Sequence, residues 1–155
     1  MALIDHLQEL GSQLGLPASD IGLDNQGRCT LTVLGTHQLT LEESPDGSTL
    51  LMSALLCRYP DETSRLALFD LLMEAHAYGL GTDDAYFGAS QAMGAVFLFK
   101  RRPLEGLSFD DFNRAVASFA SVYAYWKNQF DSGNLSAPST HTASTPQGLP
   151  LGQMA

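Results

Sequence analysis

The chain has 155 residues, with 17 Asp and Glu against eight Lys and Arg, for a formal net charge of −9. That length suits one domain with a real core, and so acidic a chain argues against a nucleic-acid binder, which needs a basic face. Its two cysteines, Cys29 and Cys57, are too few for a disulfide framework.

Residues 2–15 are predicted to form an amphipathic helix, because Leu3, Leu7, Leu10 and Leu14 recur on one face. Gly15 and Pro17 end it. Residues 28–34 and 37–43 alternate apolar and polar side chains. Cys29, Leu31 and Val33 share one face of the first strand, and Leu39 and Leu41 one face of the second. Gly35-Thr36 suits a tight hairpin between them. After the turn Ser44-Pro45-Asp46-Gly47, residues 49–57 are apolar on both faces, as expected of a strand covered on both sides. Residues 61–77 are predicted as the second helix, with Asp61, Glu62 and Thr63 at its start after Pro60. Its apolar stripe, from Leu66 to Ala75, is too wide for one buried face and predicts two packing partners. Gly79-Leu80-Gly81 stops it. Residues 85–90 and 94–100 form a second predicted hairpin, in which Tyr86, Val96 and Leu98 face away from Phe87, Phe97 and Phe99. Residues 108–130 are the strongest helix. Ser108 is the N-cap, and Phe109, Phe112, Val116, Phe119, Tyr123, Trp126 and Phe130 recur at alternating spacings of three and four. From Asp131 onward the composition turns to Ser, Thr, Pro and Gly, which predicts a disordered tail over 131–155 and a single domain over 1–130.

The order α-β-β-β-α-β-β-α predicts an α+β fold: a twisted, antiparallel five-stranded sheet with three helices. Strands and helices do not alternate, so a doubly wound nucleotide fold is not expected. The N-terminal stretch has no basic start, unlike a signal peptide, and no apolar run is long enough to cross a bilayer. A cytoplasmic location is therefore expected.

Catalytic patterns are weak. Cys57, His76 and Asp70 include a thiol and a base, but Cys57 ends an apolar strand and nothing local brings His76 to it. Asp70 and Glu74 sit four apart on the second helix, the usual pattern of a solvated face. The histidines His6, His37, His76 and His141 have no metal-ligand spacing with the cysteines. Gly79-Leu80-Gly81 follows a helix, whereas a phosphate cradle precedes one. Asp83-Asp84 reads as a polar loop, and Lys100-Arg101-Arg102 as a solvated strand end. No enzyme, metal or cofactor is expected. What remains is more apolar surface than one small core obviously absorbs: either both sheet faces are covered within one protomer, or the excess serves a self-interface and a docking surface for an apolar peptide, the favoured reading.

Several stretches in order resemble the Tir-chaperone (CesT) family, the class I chaperones of bacterial type III secretion, over residues 2–130. They are Leu14-Gly15-Leu16, Leu39-Thr40-Leu41-Glu42-Glu43, Ala77-Tyr78-Gly79-Leu80-Gly81-Thr82 and Arg102-Pro103-Leu104-Glu105-Gly106-Leu107. The last leads into Ser108-Phe109-Asp110-Asp111-Phe112. The resemblance implies a homodimer that binds the N-terminal segment of a secreted effector without ATP, by apolar grooves and strand addition. A contact with the secretion ATPase is open to such a protein. By this analogy the effector grooves are expected at Ile4, Leu7, Leu39, Leu41, Val96 and Leu98. The dimer seam is expected at Leu68, Leu71, Leu72 and Tyr86. Three other readings stay open: an adaptor or regulatory subunit on the same fold, a small enzyme, and a small-molecule binder.

Overall fold

The structure, a computed structural model, describes residues 2–17, 20–59, 61–79 and 81–133. The tail expected over 131–155 lies outside the described residues from 134 onward, as do Pro60 and Leu80.

The elements follow the predicted order. Helix α1 spans Leu3–Leu14, strands β1, β2 and β3 span Arg28–Val33, His37–Glu43 and Thr49–Arg58, and helix α2 spans Glu62–His76. Strands β4 and β5 then span Tyr86–Ser90 and Ala95–Pro103, and helix α3 spans Phe109–Asp131. All strand pairs are antiparallel, in the order β1-β2-β3-β5-β4, so β1 and β4 are the edges.

Local chemistry sets the helix ends. Asp61 and Ser108 cap α2 and α3 by accepting the amides of Ser64 and Asp111 at 3.0 and 3.1 Å. Ala2 cannot cap α1 with its side chain. Instead Asp5 accepts the Ala2 amide at 2.9 Å, and Glu43 at the end of β2 accepts the Leu3 amide at 2.8 Å. Gly15, at φ 66°, closes α1 in the left-handed region, with the Leu16 amide reaching back to Gly11 O.

The two faces of the sheet differ sharply. On one, Leu50, Met52, Ala54 and Leu56 of β3 and Val96, Leu98 and Lys100 of β5 are all buried. Helix α3 packs across this face with Phe112, Phe119, Tyr123 and Trp126 buried, and α1 packs on α3. Each such apolar side chain contributes about 1.5–3 kcal/mol by leaving water. The Trp126 indole N–H donates to Gly81 O, and the Tyr123 hydroxyl to Leu55 O, both at 2.9 Å, so neither polar tip is stranded. On the other face, Ala95 at the start of β5 is the one buried residue of β3 and β5; Leu51, Leu55, Phe97 and Phe99 all keep exposed surface. The expectation that β3 is covered on both sides is therefore corrected for the single chain.

Strand β5 runs three residues past the predicted end, because Arg101, Arg102 and Pro103 pair with Leu51, Leu50 and Thr49. The alternation of that strand turns Lys100 inward. It is 2% exposed, not a solvated strand end. Its ammonium donates to Asp83 O at 2.7 Å and to Ser118 Oγ at 3.3 Å, beside the Asp83 carboxylate. Ser118 hydrogen-bonds the same carboxylate. The Ser118 hydroxyl first, and then Lys100, hold the Asp83 carboxyl below its ordinary range. Asp84 pairs with Arg102 at 3.7 Å. Both aspartates have positive φ. The Asp83-Asp84 loop thus engages the protein's own cations.

Candidate binding surfaces

Among the described residues two apolar surfaces stay open. The first is a groove of about 620 Å³ between the C-terminal half of α1, strand β1 and α3. Leu10, Leu14, Leu16, Leu31, Val33 and Leu34 line it, with Val116 and Ala120 on the α3 wall. Leu14 and Leu34 are more than three-fifths exposed. Gly11 makes the groove's corner possible. A Cβ there would come within 2.5 Å of Ile21 Cγ2, so only glycine lets the returning chain seat Ile21 on the helix. Leu34 sits at the hairpin tip with φ 50°, a region that an ordinary L residue avoids. An exposed, strained, branched side chain at a groove rim is poor for stability and useful for contact. Strand β1 pairs with β2 on one side only, so its outer edge runs beside this groove.

The second surface is the uncovered face of the sheet. Leu51 and Leu55 of β3, Phe97 and Phe99 of β5 and Tyr86 of β4 share it by register. Tyr86 stacks on Phe99 at 5.6 Å, and Phe97 lies 5.9 Å from Phe99. Gly88 leaves room for that aromatic row: a Cβ there would lie 2.6 Å from the Phe99 ring. Beside β4, the outer side of α2 exposes Leu66 and Met73, 69% and 68% accessible. Met73 lines one shallow pocket with Phe69, Leu72 and Phe87 to Ala89 of β4.

The predicted contact residues land differently. Leu7, Leu39, Leu41 and Leu98 are 0% exposed and Val96 is 1% exposed. They are core, and the expectation that they line grooves is corrected; only Ile4 keeps some surface. Leu68, Leu71 and Leu72 are also buried within the chain, so the seam expected there is corrected too. Tyr86 alone of that set lies on an open face. The predicted facing of the second hairpin is reversed for Tyr86. It pairs with Phe99, while Phe87 pairs with Leu98 and points into the core against Trp126. Cross-strand partners share a face, and the register that makes them partners is set by the turn at 91–94, which periodicity within each strand does not reveal. Leu14, Leu31, Val33, Leu66 and Met73 carried a signal, because their stripes were apolar, but their exposure did not show in it.

The catalytic alternatives gain no geometry. His76 faces Phe87 at 6.4 Å. Burial pushes the thiols of Cys57 and Cys29 up, away from the reactive thiolate. Among the described residues no group of His, Cys, Asp and Glu could hold a metal ion, and no helix is long and apolar enough to cross a membrane.

The family model described as the Tir chaperone protein (CesT) family matches residues 5–127. No curated protein sequence matches the chain. Among solved structures, the ExsC–ExsE complex is similar at TM-score 0.62 and 21% identity, covering 83% of this chain and 96% of that one. The heterodimeric ExoU–SpcU complex from the type III secretion system of Pseudomonas aeruginosa is similar at TM-score 0.59 and 17% identity, covering 81% and 95%. YbjN from E. coli is similar at TM-score 0.62 and 15% identity, covering 84% and 92%. Identities this low establish a shared fold.

Proposed function

The chain belongs to the Tir chaperone protein (CesT) family, and from that we propose that it is a type III secretion chaperone that holds the N-terminal segment of an effector in its α1–β1 groove. The observation that carries this reading is the open apolar groove lying beside a free strand edge. An extended client segment can add its backbone to β1 while alternate side chains enter the groove between Leu14 and Val33. Many modest contacts of this kind hold a chain unfolded without nucleotide hydrolysis. The acidic charge of the chaperone keeps the pair soluble. Holding an extended segment in a groove requires no catalysis by the chaperone.

The uncovered sheet face and the outer side of α2 are, in this reading, where a second copy docks. An isologous contact buries the same patch twice, and the row Phe97, Phe99 and Tyr86 on the sheet with Leu66 and Met73 on α2 supplies its apolar side chains. The expected mass in light scattering is twice 16.7 kDa. The double substitution Leu66→Glu and Met73→Glu should return it to the monomer. Both side chains are exposed in the chain, so each change moves the protomer's own stability by no more than about 0.5 kcal/mol. A wild-type chain of monomer mass at micromolar concentration removes the second copy from the scheme.

The function is tested by co-expression with the secreted proteins encoded near it. One of them should co-purify, and limited proteolysis should leave a single protected stretch of roughly 50–100 residues near that partner's N-terminus, the size of a coupled folding-and-binding footprint. Protection confined to a folded C-terminal domain, or capture of no secreted protein, defeats the reading. An adaptor on the same fold would instead retain a folded partner.

A further inference from the structure

The seam between α1 and α3 contains a histidine with nothing to hold. His6 is 0% exposed. Its ring lies flat on Phe112 at 4.8 Å, 12° from parallel, and neither ring nitrogen has a hydrogen-bond partner. A buried polar group without a partner is costly even when neutral, and far more so when charged. One turn and two turns further along α1 come Leu10 and Leu14, the groove's own wall. The contact that docks α1 on α3 and the groove that α1 bounds are therefore parts of one seam.

We propose that His6 is a pH-sensitive latch on α1: neutral, it lets α1 seat on α3 and keep the groove formed; protonated, it loosens α1 and releases the groove's occupant. The regulated site is the client groove named above, so the link to release rests on that reading, although the latch itself does not.

The groups around the ring favour this behaviour. Asp5, on the same helix, would welcome a proton on His6, but its carboxylate accepts the Ala2 amide. Glu43, from β2, accepts the Leu3 amide. From α3 the ring meets Phe112, while the flanking Asp110 and Asp111 are exposed and Asp111 is engaged by Ser108 and Arg114. The Phe112 face attracts a cation, but by less than the hydration a buried imidazolium gives up. Burial first, and then the chain's amino terminus, lower the His6 pKa, with Asp5 acting the other way. A histidine whose folded pKa is lowered contributes its full stability above its unfolded value, near 6.5. It loses that stability as pH falls below 6.5 towards the folded value, by up to tenfold in the docking equilibrium per pH unit.

The test is hydrogen exchange of residues 3–14 in the full chain, without client, at pH 7.5 and 5.5, corrected for the intrinsic pH dependence of exchange. Wild type should lose about tenfold in protection of α1 at the lower pH, and His6→Phe should lose none. His6→Leu serves should the larger ring not fit. Imidazole NMR of the wild type should show His6 still neutral at pH values below its ordinary value of 6.5. Equal loss of protection in wild type and variants, or a folded His6 titrating at the ordinary value, overturns the latch. The two readings fail separately. A pH-dependent α1 in a chain that captures no effector sinks the chaperone reading alone, and an effector-binding chain with a pH-flat α1 sinks the latch alone.

Discussion

Replacing Trp126 by alanine is expected to cost about 3–5 kcal/mol of folding stability, the range for a large aromatic side chain removed from a packed core. The indole is 1% exposed and sits where three parts of the chain meet. Its N–H donates to Gly81 O in the turn after α2. Its ring stands edge-on to Phe87 of β4 at 5.2 Å and lies 6.2 Å from Phe130 near the end of α3. Alanine leaves a cavity at that junction and an unpaired carbonyl, and the seam between β4 and α2 loosens with it. Trp126→Phe separates the two losses. It keeps most of the volume and removes only the hydrogen bond, so its cost should be about 1–2 kcal/mol. Urea unfolding followed by circular dichroism at one fixed protein concentration measures both, since the only tryptophan is itself removed. A cost for alanine below about 1.5 kcal/mol would mean that α3 is not held on the sheet in the way described.

The second large effect runs in opposite directions for folding and for binding. Leu34 stands at the β1–β2 hairpin tip with φ 50° and 67% of its surface exposed. Leu34→Asn puts a residue there that tolerates the left-handed region, and the chain should gain about 0.5–1 kcal/mol of stability. The same change removes an apolar side chain from the groove rim. Combined with Leu14→Asp on the opposite wall, it should weaken the effector complex at least about a hundredfold. That corresponds to losing roughly 1.5–3 kcal/mol of apolar burial at each position. Calorimetry on the co-purified effector segment gives the affinity, and thermal unfolding gives the stability. A more stable double variant that still binds with wild-type affinity would place the client elsewhere, on the open sheet face. No folding defect could explain a loss of binding in a variant that melts higher.

Much of this was readable one element at a time. The spacing of Phe112, Val116, Phe119, Tyr123 and Trp126 sufficed to predict α3 and its buried stripe. Ser108 and Asp61 marked helix starts, and the element order and α+β class followed. The surfaces were not readable in the same way. Leu39 and Leu41 alternate with polar residues as a groove strand would, yet they are wholly buried, because α3 crosses that side of β2. Leu50 and Leu51 are neighbours of equal hydropathy on β3. One is core and the other is surface, because helices cover only one face of the sheet.

The chain's own letters were enough for the type and order of elements, since helical and strand periodicities are local properties of a few consecutive residues. Two matters waited for the assembled protomer: which apolar face is core and which is left open, and where Lys100 goes. Each is set by strand register and by what packs alongside, contacts between residues distant in sequence. A side chain's pattern can say that it wants cover, but only its neighbours in space determine whether that cover comes from its own chain or from a partner.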